Sequence, residues 1–490
     1  MRLNSCLAAL AALFAVSGPV AAQPAPEAVY YPPSAVQADF DALYAGMREA
    51  HYDLFVHTPR PVMEREHRRL RASFDAPMTR TQAQVAFQTF LALGKVAHAR
   101  IDFPDEAWSA YRDAGGKAFP LRVRIVEGRT YVDADLSGEG RLVAGDELLA
   151  LNGAPMEAWL GRAGRHLSAD TPYLLHSLVE FYLPRLLWLE LGAAERFDLR
   201  VRKRDGEAVA LSLPAVTRDQ WIVAEKAQPP RFELSGDVRE VRLLGEGLAY
   251  LRPGPFYNAE KPEALWDPTE FRAFIDTAFG QVLDSGATDL IIDLRDNPGG
   301  DNSFSDPMVA WFADRPFRFA SDFRIKVSPQ ATASNQARLD AEGGSENQTS
   351  RQLAALYAGK PAGSVVRYDI PIVAPRQDRR FTGRVWMLVN RRSYSNTVTV
   401  AALAQDYGFA TIIGEPTSDL ATTYGAMEQF TLPRTGIVVG FPKAHIIRPN
   451  GSLKAAGVTP DIPIETPVVP PATDVVLARA VEIVSKQRPR

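Results

Sequence analysis

The residues best placed to do chemistry lie in a short turn around Ser395. An apolar run, 385–390, precedes this turn, and apolar residues at helical spacing follow it from Val398 to Tyr407, so the pattern predicts strand, turn and helix. A serine in such a turn presents its hydroxyl beside the unpaired N–H groups of the helix start, which can stabilise an oxyanion. The turn is therefore a place that nucleophilic serines favour. The alternative interpretation is that Ser395 merely caps the helix.

A glycine-rich turn at 296–301 is the second candidate. It follows the buried apolar strand 289–294, and Gly299 and Gly300 allow close backbone approach and an outward-pointing N–H group. The lysine of a nucleotide-binding loop is missing, so a phosphate cradle is not indicated. An oxyanion donor is the functional interpretation, and a plain turn is the alternative.

His98 is the third candidate, at the point where a helical pattern gives way to a short alternating segment that predicts a strand. A histidine in such a place is commonly structural or solvated. The other six histidines form no HxH or HxxxH pair, so local spacing predicts no zinc site. We expect neither a metal nor an organic cofactor.

The bulk composition indicates a globular protein of several domains. The chain has 490 residues, of which 46% are apolar and 23% charged, so two or three domains are expected. A net charge of −3 gives no reason to expect nucleic acid or an anionic membrane as a partner. The pattern does not indicate an oligomeric state.

Residues 1–22 have the pattern of a signal peptide. Arg2 precedes an apolar run, 6–16, and small residues at 20–22 offer a cleavage site before Gln23. The apolar run is too short to span a membrane. We therefore expect an exported protein, either periplasmic or secreted. The single cysteine, Cys6, lies within this segment, so the mature chain is expected to have no disulfide and no thiolate site.

Three regions would have to position these residues. Residues 23–110 are predicted to be a helical N-terminal region. Residues 117–216 are predicted to be β-rich with a helical insertion at 155–192, and their Gly-Asp, apolar strand, Asn-Gly pattern at 145–153 resembles PDZ domains, which bind extended peptides by strand addition. A β-rich spacer without a binding role is the alternative.

Residues 238–490 alternate predicted strands and helices. This order predicts a largely parallel sheet with right-handed crossovers. The polar segment 320–383 is expected to form, in part, an exposed insertion or lid.

Taken together, these motifs resemble the tail-specific (C-terminal-processing) and tricorn-core serine peptidases. The resemblance covers 245–465 and rests on Leu290-Ile291-Ile292-Asp293-Leu294-Arg295-Asp296-Asn297-Pro298-Gly299-Gly300, on Ser393-Tyr394-Ser395-Asn396 with Gln405-Asp406-Tyr407-Gly408, on Gly414-Glu415-Pro416-Thr417, and on Gly457-Val458-Thr459-Pro460-Asp461. It implies a multidomain α/β and α+β protein: a helical lead-in, a PDZ-like domain and a crotonase-like (ClpP/crotonase superfamily) α/β catalytic domain. It also implies an acyl-enzyme mechanism on peptide or protein substrates.

Carried over residue by residue, the resemblance implies Ser395 as the nucleophile. Its oxyanion donors would be the N–H of Asn396 and that of Gly299 or Gly300. The general-base lysine of the tail-specific branch falls on Leu420, so this chain lacks it. The tricorn-like branch instead uses a histidine at the end of the helical lead-in, which is the place of His98.

The third member of that branch's catalytic set is not assigned by the sequence. Lys454 stands about where its glutamate would be sought. Glu415, Asp406 and Glu428 are the candidates, with structural roles as the alternative for the first two.

A competing hypothesis is a catalytically inactive ligand- or peptide-binding protein on the same scaffold, since the family resemblance includes retinoid-binding relatives. The leucine at position 420 favours this hypothesis. The serine at 395, the histidine at 98 and the glycine pair favour catalysis.

Overall fold

The computed structural model describes residues 29–245, 247–261, 264–341 and 347–487. The predicted signal peptide, 1–22, lies outside the described residues. Exported status therefore stays a prediction.

The N-terminal region is a group of helices with one short two-stranded ribbon. Its elements are β1 (Tyr30–Tyr31), α1 (Pro33–Ala50), α2 (Arg60–Ser73), β2 (Met78–Thr79), α3 (Arg80–Ala92) and α4 (Asp105–Asp113). Thr79 begins α3 with a capping box, because its side chain accepts from the Gln82 N–H while the Gln82 side chain accepts from the Thr79 N–H. Phe40, Phe87 and Phe90 form the centre of its core.

The second unit is an antiparallel sheet packed against two helices. Its elements are β3 (Leu121–Val126), β4 (Arg129–Asp135), β5 (Glu147–Leu151), β6 (Ala154–Pro155), α5 (Met156–Gly164), α6 (Pro172–Leu191), β7 (Arg196–Arg202) and β8 (Ala208–Pro214), followed by α7 (Arg218–Lys226). The strand order is β3-β4-β5-β7-β8, and β6 pairs with β5. Strand β7 alternates exposed and buried residues throughout, as expected for a sheet with one solvated face.

The third unit is built on a six-stranded, mostly parallel sheet. From residue 240 onward the elements are β9 (Glu240–Leu243), β10 (Leu248–Arg252), α8 (Thr269–Asp284), β11 (Asp289–Asp293), α9 (Asn302–Val309), β12 (Asp322–Lys326), α10 (Pro329–Asp340), α11 (Gln348–Tyr357), β13 (Val365–Arg367), β14 (Arg384–Val389), α12 (Asn396–Tyr407), β15 (Thr411–Gly414), β16 (Thr423–Thr431), β17 (Val438–Ile447), β18 (Ile462–Pro463) and α13 (Val475–Lys486). The order is β18-β15-β14-β11-β10-β9, with only β9 antiparallel to its neighbour.

Both faces of this sheet are covered, which explains its continuous apolar strands. All five residues of β11 are buried. One face packs against α8, α9 and α12, and the other against α13. Burial on both faces is the usual condition of parallel sheets. Because both faces are covered, a site is expected at the carboxyl ends of the strands. The turns after β11 and β14 lie side by side there.

The segment 320–383, expected in part to be an exposed insertion or lid, contributes two strands to a second sheet. Strands β12 and β13 join β17 and β16 in a four-stranded antiparallel sheet of order β13-β12-β17-β16. Ile325 of β12 is fully buried in the core of this sheet. The sequence of this segment is polar in part because β13 is an edge strand, and two of the three β13 residues face solvent.

The N-terminal helices pack on this second sheet. Val439 and Phe441 of β17 belong to the same core as α1 and α3. The strand predicted after His98 does not form. A single antiparallel bridge from Arg100 to Gly440 of β17 takes its place, with N–H to O distances of 3.1 and 2.8 Å.

Candidate active site

Ser395 occupies a strained turn at the carboxyl edge of the parallel sheet. Strand β14 ends at Val389, and Ser395 follows it with φ 55° and ψ −124°, directly before α12. Its side chain makes no capping hydrogen bond to α12, whose residues are all described, so the interpretation as a mere helix cap is wrong. A non-glycine residue in this region costs about 1–3 kcal/mol and persists only where its surroundings enforce it.

Asp419 is one residue that enforces this conformation. Its buried carboxylate accepts the Ser395 N–H through Oδ2 at 2.7 Å and the Leu420 N–H through Oδ1 at 2.9 Å. Burial raises the pKa of the Asp419 carboxyl, which nearby His98 lowers and nearby Asp170 raises. The sequence does not predict Asp419, because the family motif marks this stretch only through the lysine that Leu420 replaces. An acid two residues after the Glu-Pro-Thr motif is the signal that marks it.

The glycine-rich turn interlocks with the Ser395 turn. The Asn390 side chain accepts the Asp296 N–H through Oδ1 at 3.1 Å and donates through Nδ2 to Asp296 Oδ1 at 2.6 Å. The Tyr394 N–H donates to the Asn297 carbonyl at 3.0 Å. A Cβ atom built on Gly299 would lie 2.9 Å from the Ser395 Cβ, so the two turns touch.

The two glycines have different surroundings. The Gly299 N–H donates to Asn297 Oδ1 at 2.9 Å, so this group is already occupied. Gly300 forms a parallel bridge to Phe256, in which Gly299 supplies the carbonyl and Asp301 the N–H, each at 2.9 Å. In such a bridge the central residue turns its own N–H away from the partner strand. The Gly300 N–H therefore points away from Phe256, and β14 lies on that other side of β11.

His98 lies against the nucleophile turn although it comes from the N-terminal region. Its ring stacks on that of Tyr394, the residue before Ser395, with centroids 5.6 Å apart and planes 22° apart. Its side chain is 5% exposed, and Nδ1 is buried without a hydrogen-bond partner among the described residues. The His98 loop is fixed from outside, since the Ala97 N–H donates to Asp170 Oδ2 and the Ser168 hydroxyl to the Ala99 carbonyl.

The three acids named from the sequence lie in ion pairs rather than beside His98. Asp406 is bonded by Arg448, Glu428 by Lys443 and Arg338, and Glu415 by Arg391. Leu420 is buried, and Lys454 is exposed.

Arg391 ties the nucleophile turn to the second unit. Its buried guanidinium donates through Nη1 to Glu180 of α6 and to the carbonyl of Ile125, each at 2.7 Å, and through Nε to Glu415 at 2.8 Å. Burial raises the pKa of Glu180, which Arg391 lowers. The edge strand β3 and helix α6 are therefore held directly against the turn that carries Ser395.

A cavity of about 660 Å³ opens beside these residues. Ala97 and Tyr394, the residues before His98 and Ser395, both line it. One wall is the apolar face of α6, which includes Leu174, Leu178 and Phe181.

The described residues hold neither a metal-binding cluster nor a membrane-spanning helix. No cluster of histidine, cysteine, aspartate and glutamate there could hold a metal ion. Within the same residues, no helix has the length and apolar character needed to cross a bilayer.

A strained serine at a strand-to-helix turn, a histidine beside it and a glycine turn define the class of site found in serine hydrolases. Residues 258–464 match the family described as Peptidase family S41. The chain carries a domain of this family and is a serine-type peptidase, so the resemblance seen in the sequence is confirmed.

Solved structures share the fold. The chain superposes on mature CPAF with a TM-score of 0.58 at 17% identity, covering 93% of this chain and 96% of that one. Mature CPAF complexed with lactacystin gives a TM-score of 0.59 at 17% identity, covering 93% and 97%. The predicted multidomain α/β and α+β fold class is confirmed. No curated protein matches the chain.

Proposed function

We propose that this chain hydrolyses peptide bonds through an acyl-enzyme on Ser395, with His98 as the general base. The observation that carries the proposal is the conformation of Ser395, held at φ 55° with its hydroxyl released from helix capping. Backbone strain of this kind clusters at active sites. The stacking of His98 on Tyr394 supports the choice of base, because it brings an imidazole to the same turn.

The reaction follows from these positions. Ser395 Oγ attacks the peptide carbonyl carbon, and its proton passes to His98 Nε2, since Nδ1 is the buried ring nitrogen. His98 returns this proton to the amine nitrogen as the C–N bond breaks, which leaves an ester on Ser395. Water then attacks the ester, gives its proton to His98, and releases the acid as Ser395 Oγ regains a proton.

The N–H groups of Asn396 and Gly300 are proposed to stabilise the oxyanion. The N–H of Asn396 is the first of α12, where backbone donors have no intrahelical acceptor. We choose Gly300 rather than Gly299 because the Gly299 N–H is bonded to Asn297. One such donor is worth about 3 kcal/mol of transition-state stabilisation.

The substrate is proposed to enter through the cavity beside Tyr394 and Ala97, with the PDZ-like unit holding the substrate chain. Its α6 supplies an apolar wall of this cavity. The signal-like pattern of 1–22 supports an exported enzyme that starts at Gln23. Amino-terminal sequencing of the protein recovered outside the cytoplasm tests that start.

Hydrolysis of quenched fluorescent peptides by residues 23–490 tests the mechanism. Ser395→Ala should abolish turnover, and His98→Gln should lower kcat/KM about a thousandfold. Ser285→Ala and His445→Gln are the matched controls, because both residues lie on other elements, and each should stay within twofold of wild type. Full activity in Ser395→Ala would overturn the proposal. A wild type that binds peptides without cleaving them would favour the inactive binding protein.

A further inference from the structure

Three buried polar atoms near His98 lack a hydrogen-bond partner within the described residues. They are His98 Nδ1, Asp170 Oδ1 and His57 Nε2. His57 lies between α1 and α2, His98 follows α3, and Asp170 lies between α5 and α6. Buried polar atoms are normally paired. Three unpaired atoms on adjoining loops therefore require an explanation.

Asp170 touches both of the loops that carry these histidines. Its Oδ2 accepts the N–H of Ala97, the residue before His98, at 3.0 Å. Its Oδ1 lies 3.8 Å from His57 Nε2, and the side chain is 1% exposed. One carboxylate oxygen is therefore fixed by the residue before His98, while the other lies buried without a donor, 3.8 Å from the unpaired nitrogen of His57.

We propose that Asp170 is the acid that positions His98, with one bound water that accepts the Nδ1–H of His98 and donates to Asp170 Oδ1. His57, whose Nε2 lies 3.8 Å from the same oxygen, supports this carboxylate. This inference rests on the proposed Ser395–His98 mechanism. A proton held on Nδ1 leaves the Nε2 lone pair free to accept the Ser395 proton, and the carboxylate stabilises the imidazolium that forms.

Asp419 is the competing acid, and its hydrogen bonds argue against it. Both of its oxygens already accept backbone N–H groups, from Ser395 and from Leu420. Asp170 has one oxygen to spare. Asp419 therefore holds the nucleophile turn, and Asp170 positions the base. The site would then draw one functional side chain from each of the three units of the fold.

Steady-state kinetics on the full mature chain tests this division of roles. Asp170→Asn should lower kcat about a thousandfold or more and leave KM within threefold, because an amide can hold His98 in the wrong tautomer. His57→Gln should lower kcat about tenfold, as loss of a more distant partner does. Asp205→Asn is the matched control, since Asp205 also accepts one backbone N–H but lies in an exposed turn, and it should match wild type.

Nitrogen-15 NMR of histidine-labelled protein supplies a readout that a purely structural role would not change. Wild-type His98, assigned by comparison with His98→Gln, should carry its proton on Nδ1, and Asp170→Asn should shift the population toward Nε2–H. If Asp170→Asn fails to fold, the wild-type tautomer decides, because an Nε2–H tautomer there overturns the proposal. A kcat of folded Asp170→Asn within threefold of wild type overturns it as well.

The same experiment separates this proposal from the mechanism on which it rests. Active wild type, inactive Ser395→Ala and active Asp170→Asn would leave Ser395 as the nucleophile and remove only the role of Asp170. Activity retained in Ser395→Ala would remove both.

Discussion

Replacing Gly299 with alanine should disable the nucleophile turn while the protein remains folded. The new Cβ would lie 2.6 Å from the Tyr394 carbonyl oxygen, 2.9 Å from the Asn396 nitrogen and 2.9 Å from the Ser395 Cβ. Carbon atoms in contact prefer a separation of about 3.5 Å, so the Ser395 turn must move by roughly 0.6 Å or more. A misplacement of about 1 Å at a reacting group can cost a hundredfold in rate. We expect kcat/KM to fall between about tenfold and a hundredfold.

The backbone cost of the same substitution must be separated from this steric effect. Gly299 has φ +91°, a region in which alanine is disfavoured by about 1–2 kcal/mol. Gly363, in the turn between α11 and β13, has φ +85°, and a Cβ there would meet no described atom within 4 Å. Gly363→Ala is therefore the matched control. It should lose similar backbone stability and keep its activity.

The assay combines urea unfolding with peptide hydrolysis on both variants. Both should unfold at lower urea than wild type, and only Gly299→Ala should lose activity. Activity of Gly299→Ala within threefold of wild type would refute the contact between the two turns. Equal losses of activity in both variants would assign the effect to stability alone.

Three other predictions follow from contacts elsewhere. Arg391→Met removes the arginine partner of buried Glu180 and partly buried Glu415, so urea unfolding should show a loss of about 3–5 kcal/mol. A loss under about 1 kcal/mol would contradict the stabilising role of the Arg391–Glu180 pair. Leu178→Trp fills part of the cavity, so the KM for peptides should rise about tenfold. A small fluorophosphonate should still label this variant at the wild-type rate. An unchanged KM would exclude the cavity as the substrate cleft. Burial raises the pKa of Asp306 to about 7. The folded chain thus binds this proton more tightly than the unfolded chain, so stability should fall as pH rises from about 4 to about 7, and Asp306→Asn should remove that fall in urea titrations at several pH values.

The sequence predicts those parts of the fold in which the strands are continuous apolar runs. Strands β11 and β14 are buried on both faces, so their apolar runs are unbroken and the turns after them stand out. The serine turn and the glycine turn follow these two strands directly. Their adjacency then follows from the parallel pairing of β11 with β14.

The rest depends on contacts between residues far apart in the chain. Strands β12 and β13 are not predicted because β12 pairs with the distant β17, and because β13, the edge strand, faces solvent. The segment after His98 has an alternating pattern, but only Arg100 bridges to a strand, at Gly440 of the distant β17, and the Ser168 hydroxyl bonds the Ala99 carbonyl. No local sequence pattern marks Asp170, because its proposed role depends on a hydrogen bond that its carboxylate accepts from the Ala97 N–H in the N-terminal region.

Fluorophosphonate labelling, with the modified peptide identified by mass spectrometry, tests the central claim most directly. The probe reacts with a serine only when a base activates its hydroxyl. We predict that Ser395 is labelled in the mature wild type, and that labelling is lost in Ser395→Ala and in His98→Gln. A wild type in which Ser395 stays unmodified, or a His98→Gln variant labelled at the wild-type rate, would contradict the Ser395–His98 mechanism.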